Sequence, residues 1–443
     1  MSQGYRIVFE TYSLDNPNDI KEQSVIIEDI VTRPTSCLDF SISHEQQIEI
    51  LQNSIDHVIA EKTKLINSES GDCPNCSKNL IKLGYHRSTF HDVFTDHHVR
   101  MQRLRCKSCK YEAPSTVRTL LDGVLSGALV KIQSELGSDY TFREAESLLE
   151  KFATKRRSIN NRNRIKNIVS NVGTAIEAVD RTEQELLEYE DAEELILNID
   201  GGHVKTVEEQ RSIEALTSVV YKPESLVKGE NSSRRYLTSK SCAASVKDDN
   251  QKEIINNTII AAMKEGLTAD TKITALCDGA ANCWKVVDAL KPLCGSMTCI
   301  LDWFHITMKM QNIALPEPLK DKFLKIKWHL WRGNVDSAIT RLEQLISLAS
   351  DTKTKNKLDT FKAYINNNYA RIVNYRERKK NGLVFTSNLA ESTVESLVNR
   401  RCKGQQHMRW SREGLNPILQ LRAKMHTQDW DNKWKTVILN STL

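Results

Sequence analysis

Three aspartates each close an apolar run of this sequence, an arrangement suited to metal-dependent chemistry. Asp200 ends LILNID, Asp278 ends KITALCD and Asp302 ends MTCILD. Short apolar runs of this kind predict buried strands, so each carboxylate would be held rigidly where a strand ends. A single such acid is more often a turn residue or a helix cap. A set of three, with Glu391 and Glu395 one helical turn apart later in the chain, favours a shared site.

Acids at two or three strand ends, joined by one acid from a later helix, supply the oxygen ligands that Mg²⁺ or Mn²⁺ prefers. Two such ions about 3.5–4 Å apart can serve both the attacking and the leaving oxygen of a phosphoryl transfer. The acid pattern therefore predicts a phosphoryl-transfer enzyme with a divalent cation as cofactor.

Two Cys-x-x-Cys pairs, CPNC and CKSC, indicate a second metal site. They supply Cys73, Cys76, Cys106 and Cys109, and the sequence between them alternates like a β-hairpin. Four thiolates can close a tetrahedral zinc site, and they leave no open position for catalysis. We therefore expect a structural zinc ribbon, with unpaired core cysteines as the alternative.

A basic stretch follows the cysteines. KFATKRRSINNRNRIKNIVS, residues 151–170, has seven Lys or Arg and no acid. One predicted helix precedes it and a second begins within it, with Ser158 as a candidate N-cap, which is the outline of a helix-turn-helix. A solvated basic face is the alternative. The candidate DNA contacts are Lys155, Arg156, Arg157, Arg162, Arg164 and Lys166.

The composition sets limits on function and location. The 443 residues include 62 Lys or Arg and 57 Asp or Glu, so the net charge of +5 does not by itself indicate nucleic acid. No run of 18 apolar residues exists, and the N-terminus lacks a signal-peptide pattern. We therefore expect a cytoplasmic protein without membrane contact, in which cysteines bind metal rather than form disulfides.

From residue 195 the predicted order is three strands, helix, strand, helix and strand, followed by long helices and a late helix that carries Glu391. Four stretches in this part, IDGGHVK, CDGAANCWKVVDAL, ILDWFHITMKM and NLAESTVESLVNRRCKGQQHMRWSREG, resemble DDE transposases of bacterial insertion sequences. The similarity is to the Kra-type and its relatives, which pair a zinc ribbon and a helix-turn-helix with a ribonuclease H-like core. It spans roughly residues 70 to 430.

The resemblance assigns roles to particular residues. Asp200, Asp278 and Glu391 match the three catalytic acids, which bind magnesium. Asp302 and His305 match a recurring Asp-x-Phe-His element and are additional candidates for metal or DNA binding. Spacing leaves open whether Asp278 or Asp302 is the second catalytic acid. GQQHMRW is one residue longer than the usual block, which leaves the counterpart of His407 open.

The resemblance also implies the fold and its segments. The fold class is multidomain α/β, with a ribonuclease H-like catalytic core that contains a helical insertion. The predicted segments are an N-terminal region of unclear role (1–70), the zinc ribbon (71–112), a helical DNA-binding region (113–182), the first part of the core (195–315), the helical insertion (316–380) and the C-terminal part of the core (381–443).

The implied activity is that of a transposase, which binds the terminal inverted repeats of its element through the ribbon and the basic helices, and also binds a target duplex. It would cut DNA and join the freed 3′ hydroxyl to a target phosphodiester, as a homodimer or larger assembly in a bacterial nucleoid. The basic residues after Glu391 that would hold phosphates are Arg400, Arg401, Lys403, Arg409 and Arg412. The alternatives are a DNA-binding regulator or decayed transposase with a silent core, and a nuclease of the same fold.

Overall fold

The computed structural model describes residues 3–37, 40–114, 125–183, 189–209, 211–228, 235–317, 319–387, 393, 395–404, 408–427 and 430–441. Glu391 and His407 lie outside the described residues. The chain forms two compact units, one from Met1–Ala175 with Trp434–Leu443 and the other from Ile176–Lys433. The prediction of a multidomain α/β chain is confirmed, and no helix among the described residues is long and apolar enough to cross a bilayer.

The first unit contains two antiparallel hairpins and a long helix. Its elements are β1 (Gln3–Ser13), β2 (Asn16–Val31), α1 (His44–Ser68), β3 (Ile81–His91) and β4 (Asp96–Arg105). A capping box starts α1, because the Ser43 side chain accepts from the Gln46 amide while the Gln46 side chain binds the Ser43 amide. One face of the β3–β4 hairpin is buried through Val99 and Met101, which pack with Ile59 of α1.

Three helices follow the cysteine region: α2 (Gly127–Asp139), α3 (Phe142–Leu149) and α4 (Arg162–Glu183). Helix α4 begins later than predicted. Its N-cap is Asn161 rather than Ser158, because the Asn161 side chain accepts hydrogen bonds from the first free amides of the helix. The connection from α3 to α4 is residues 150–161, which include two turns of 3₁₀ helix. It is longer than the short turn that the sequence predicted for a helix-turn-helix.

The second unit is built around a mixed five-stranded sheet. The strands of this unit are β5 (Glu194–Lys205), β6 (Ser212–Tyr221), β7 (Leu226–Lys228), β8 (Arg235–Leu237), β9 (Ser241–Ser245), β10 (Lys272–Cys277) and β11 (Ser296–Leu301). The sheet order is β11–β10–β5–β6–β9, and β7 pairs with β8 in a separate hairpin. Strand β6 is antiparallel to both of its neighbours, whereas β5, β10 and β11 are parallel.

Helices cover both faces of this sheet. They are α5 (Lys252–Lys264), α6 (Ala281–Leu290), α7 (Trp303–Asn312), α8 (Leu319–Trp331), α9 (Val335–Leu348), α10 (Thr352–Asn367), α11 (Tyr375–Lys380) and α12 (Arg412–His426). A last helix, α13 (Trp430–Leu439), begins in the second unit and ends in the first. A π-helical turn, Glu395–Asn399, precedes α12. Leu195 and Leu197 of β5 pack into one core, and Ile196 between them packs into the other. Burial on both faces explains why this strand reads as a continuous apolar run.

The strands and helices predicted between residues 195 and 302 are confirmed, as is the helical character of residues 316–380. The prediction that the first strand ends at Asp200 is wrong. Strand β5 continues to Lys205, because its second half keeps pairing with β6 as far as Ser212. Pairing with β10 stops at Ile199, so Asp200 lies where the parallel part of the sheet ends.

Candidate functional site

The four predicted cysteines form one compact cluster in the first unit. The Sγ atoms of Cys73 and Cys109, and those of Cys76 and Cys106, are each 3.4 Å apart, and all four sulfurs lie within 4.8 Å of one another. Zinc–sulfur bonds of about 2.3 Å in a tetrahedron place sulfurs about 3.8 Å apart, close to what is observed. The cluster can therefore hold a structural zinc ion.

The two Cys-x-x-Cys turns fold alike. In each, the amide of the first cysteine donates at 2.8 Å to a carbonyl five residues later. The residue four positions after that cysteine, Ser77 or Lys110, has a positive φ of 55° or 64°. A hydrogen bond from the Cys109 amide lowers the pKa of the Cys106 thiol to about 6, which favours the thiolate that binds metal.

The three predicted aspartates follow residues that are aligned across three neighbouring parallel strands. The register pairs Ile199 with Cys277 and Cys277 with Leu301, and each of these residues directly precedes one of the acids. The acids therefore start at one level of the sheet, with Asp278 on the central strand of the three. Adjacent strands are about 4.8 Å apart, so neighbouring acids start at about that spacing.

Their charges interact. Burial raises the pKa of Asp200, and the carboxylates of Asp278 and Asp302 act in the same direction. His305 and the Gly201 amide oppose this effect, and the Gly201 amide donates to Asp200 Oδ1 at 2.8 Å. Asp200 is partly exposed, so it combines crowding by other acids with access from solvent.

Asp302 is the most enclosed of the three acids, with no exposed surface. Its side chain caps the N-terminus of α7 by accepting from the Phe304 amide at 3.1 Å. The amide of Ser387 donates to the same carboxylate at 3.1 Å, and its hydroxyl forms a further hydrogen bond. His305 lies with Nε2 3.6 Å from Asp302 Oδ2. These partners occupy the Asp302 carboxylate from several sides.

Asp278 is partly exposed, and the turn that carries it is held from α10. Tyr364 Oη donates to the Asp278 carbonyl at 2.8 Å, and Asn368 Nδ2 donates to the Gly279 carbonyl at 3.5 Å. Asn368 Oδ1 in turn accepts from the Trp284 indole at 2.9 Å. Gly279 has φ +97°, and a side chain there would meet Tyr364 Cε2 at 2.7 Å. Glycine is therefore required at this turn.

The two glycines after Asp200 face different surroundings. A Cβ on Gly201 would lie 2.5 Å from Oε1 of Glu214, whose other oxygen accepts from Asn282 at 2.6 Å. The space beside Gly201 is therefore filled by this carboxylate. Gly202 faces the π-helical turn and Lys403 Nζ, 3.8 Å from an ideal Cβ.

One predicted DNA contact in the first unit is not accessible. Arg157 is 5% exposed, and its guanidinium binds the Asp96 carboxylate and the carbonyls of Val93 and Thr95. Burial alone would raise the pKa of Asp96. Hydrogen bonds from His91 and Arg157 nevertheless hold this pKa below its ordinary value. Arg157 therefore fastens the β3–β4 turn. The exposed candidates are Lys155, Arg156, Arg162, Arg164 and Lys166.

The basic residues after the π-helical turn also divide by exposure. Arg401 is 3% exposed, and its guanidinium lies 4.9 Å from the centroid of the Trp410 ring. Arg412 pairs with Glu208, with Nε 3.3 Å from Oε2. Both arginines are thus engaged within the second unit. The exposed candidates are Arg400, Lys403 and Arg409.

The chain matches the Uncharacterised protein family (UPF0236) over residues 132–436. It belongs to this family. The match includes the aspartate-bearing sheet and the helices that follow it, and it begins after the cysteine cluster. No curated protein sequence matches the chain.

Several residues around the aspartates could not be found from local sequence patterns. Tyr364 and Asn368 reach the Asp278 turn across 86 and 89 residues, and Ser387 reaches Asp302 across 85. Their only signal in the sequence is that polar groups that become buried need hydrogen-bond partners. That signal does not name the partner, which depends on where the helices dock.

Proposed function

We propose that this family member is a DDE transposase that binds terminal inverted repeats and catalyses metal-dependent DNA cleavage and strand transfer. The observation that carries the proposal is that the three aspartates follow aligned positions on three neighbouring strands, where the parallel part of the sheet ends. The partly exposed Asp200 and Asp278 are on adjacent strands, as a shared phosphoryl-transfer site requires.

The sheet supports a ribonuclease H-like core. Three strands joined by antiparallel pairing are followed by two parallel strands with a helix before each, and a helical region comes after them. This order of strands and helices is the order that the sequence predicted from residue 195 onward. The cysteine cluster beside the β3–β4 hairpin likewise supports a zinc ribbon.

Within this proposal Asp200 and Asp278 hold Mg²⁺ or Mn²⁺, and Glu391 is the third acid. The donor chemistry fits, because burial and nearby carboxylates raise the pKa of Asp200 and a bound cation would offset that repulsion. When bound, the cation neutralises charge at the phosphate that undergoes substitution. Asp302 is the weaker candidate for second acid, because its carboxylate is buried and caps α7.

The other residues bind and orient DNA. Lys403 lies beside Gly202, close to Asp200 along β5, so its ammonium group can hold a phosphate near the acids. Tyr364 and Asn368 fix the backbone of the Asp278 turn and so act as positioning residues. The strand-transfer step forms a bond between a 3′ oxygen and a target phosphorus and releases a target 3′ hydroxyl. Two DNA ends call for a homodimer or larger assembly.

The test is cleavage and joining of the inverted repeats that flank the coding region, with Mg²⁺ and with EDTA. Asp200→Ala and Asp278→Ala should abolish nicked and joined products while end binding remains. Asp288→Ala, which removes a half-exposed acid on α6, is the matched control. Full joining by the Asp278 variant would refute the assignment. Nicking without joining by the wild-type protein would indicate a nuclease.

One observation favours a second candidate, a DNA-binding regulator or decayed transposase. Among the described residues, the cysteines form the one group with three or more possible ligand atoms within 4.8 Å of one another. If the acids are structural, the purified protein will bind the repeats and produce no metal-dependent cut. That result would favour the regulator or decayed transposase over the active transposase.

A further inference from the structure

The outward face of the β3–β4 hairpin carries charge that the described part of the chain does not neutralise. The other face is buried through Val99 and Met101. On the outward face, Tyr85 is 53% exposed, and Arg87 and Arg100 are also exposed. We call Tyr85, Arg87 and Arg100 the hairpin face.

The two arginines of the hairpin face lie directly opposite each other. The register pairs Arg87 with Arg100, and directly opposed residues of an antiparallel pair project from the same side of the hairpin. Like charges in that position are destabilising. The guanidinium of Arg100 lies 5.1 Å from the centroid of the Tyr85 ring, which orients one of the two cations.

Nearby arginines of the same strand show a different arrangement. Arg103 and Arg105 both lie within ion-pair distance of Glu112, at 3.6 and 3.8 Å. Among the residues that the structure describes, no carboxylate lies within 4.0 Å of Arg87 or Arg100. The hairpin face thus leaves two opposed cations available to an external anion.

The charge of this region is also concentrated. Residues 71–112 contain eight Lys or Arg and four Asp or Glu, whereas the whole chain of 443 residues has a net charge of only +5. A polyanion is the partner that gains most from such a local excess, because its binding releases condensed counterions. A two-stranded β-ribbon also has the width that the major groove of duplex DNA admits.

We propose that the hairpin face binds double-stranded DNA, with Arg87 and Arg100 on phosphates or guanine edges and the ribbon in the major groove. This rests on the proposed function for the identity of the polyanion. It assigns the DNA contact expected of the ribbon to one face of the hairpin and to residues outside both basic segments named from the sequence. Tyr85 orients Arg100 for that contact. Binding DNA removes the repulsion between the two guanidinium groups.

The experiment compares full-length variants by fluorescence anisotropy with a labelled duplex of mixed sequence over a range of salt concentrations. Arg87→Gln/Arg100→Gln should weaken binding about 10- to 100-fold and reduce the salt slope by about 2. The matched control is Arg6→Gln/Arg33→Gln, which removes two exposed arginines of the same unit and should change affinity less than about twofold. Equal zinc content in all variants excludes loss of the fold.

Equal affinity of the hairpin and control variants would overturn the inference and leave the proposed transposase intact, with DNA held elsewhere. Competition by polyaspartate as effective as unlabelled duplex at equal charge would assign the face to an acidic protein and overturn it too. A wild-type protein that binds no duplex at all would overturn both proposals.

Discussion

The cysteine cluster and the aspartate edge place ligand-type residues close together over very different sequence distances. Each half of the cluster is a single turn, and the two halves are linked by one hairpin within residues 73–109. The aspartate edge spans residues 200–302 and depends on a parallel register between three strands. The first arrangement is local and repeats one turn twice, whereas the second depends on correct assembly of the sheet.

The difference extends to what holds each group in place. Backbone hydrogen bonds within each turn orient the cysteines, so little of the surrounding protein is needed. The aspartates are held by groups far along the chain, such as Tyr364 at the Asp278 turn and Ser387 at Asp302. A substitution far from the sheet can therefore disturb the acids, whereas only local changes should disturb the cysteines.

The largest expected effect tests the local site. Cys106→Ser should abolish stoichiometric zinc binding and unfold the hairpin, because three thiolates leave the tetrahedral site open. Zinc per chain by elemental analysis and thermal unfolding by circular dichroism check this. Cys37→Ser, at an exposed cysteine outside the cluster, should retain one zinc. Retention of one zinc by the Cys106 variant would show that the cluster is not the metal site.

A smaller effect tests the assembled site. Gly279→Ala should destabilise the second unit by about 3 kcal/mol, since it combines a positive φ with contacts of 2.7 Å to Tyr364 and 2.9 Å to Leu301. Gly382→Ala is the control, because its φ is +71° but nothing lies within 4 Å, and it should cost only about 1 kcal/mol. Urea unfolding measures both. Equal losses would mean that the contacts at the Asp278 turn do not constrain it.

The smallest expected effect concerns a second group assembled from remote residues. Burial and the neighbouring Glu253 raise the pKa of Glu177 to about 7. The folded state therefore holds this proton more tightly than the unfolded one, so stability is present below about pH 4.5 and declines as pH rises through 7. Glu177→Gln should remove that decline, on the order of 1 kcal/mol after allowance for solvent screening.

Chemical denaturation at pH 5 and pH 8 measures the difference. Glu209→Gln, an exposed acid of the same unit, should leave the pH dependence unchanged. A Glu177 variant with the wild-type decline would show that another group titrates in this range.

The sequence was sufficient where the physical cause is local. Alternating or continuous apolar runs predicted the strands around Leu197 and Leu276, and the repeated Cys-x-x-Cys spacing predicted the cluster. The sequence was misleading where strand pairing decides, as in the extension of β5 past Asp200, because a strand continues as long as one neighbouring strand still pairs with it. Charge patterning likewise could not show that Arg157 is buried by the hairpin turn.

The amino-acid sequence by itself determined which side chains are of a type that can ligate cations. It also determined where most strands and helices lie, and that two Cys-x-x-Cys turns form. Only the tertiary structure decided that the three aspartates begin at one level of the sheet, because that depends on strand order and register. It also decided that Asp302 is enclosed while Asp278 is partly exposed. Ser387 contributes to this difference, because it binds the Asp302 carboxylate itself from 85 residues away, whereas Tyr364 binds only the backbone carbonyl of Asp278.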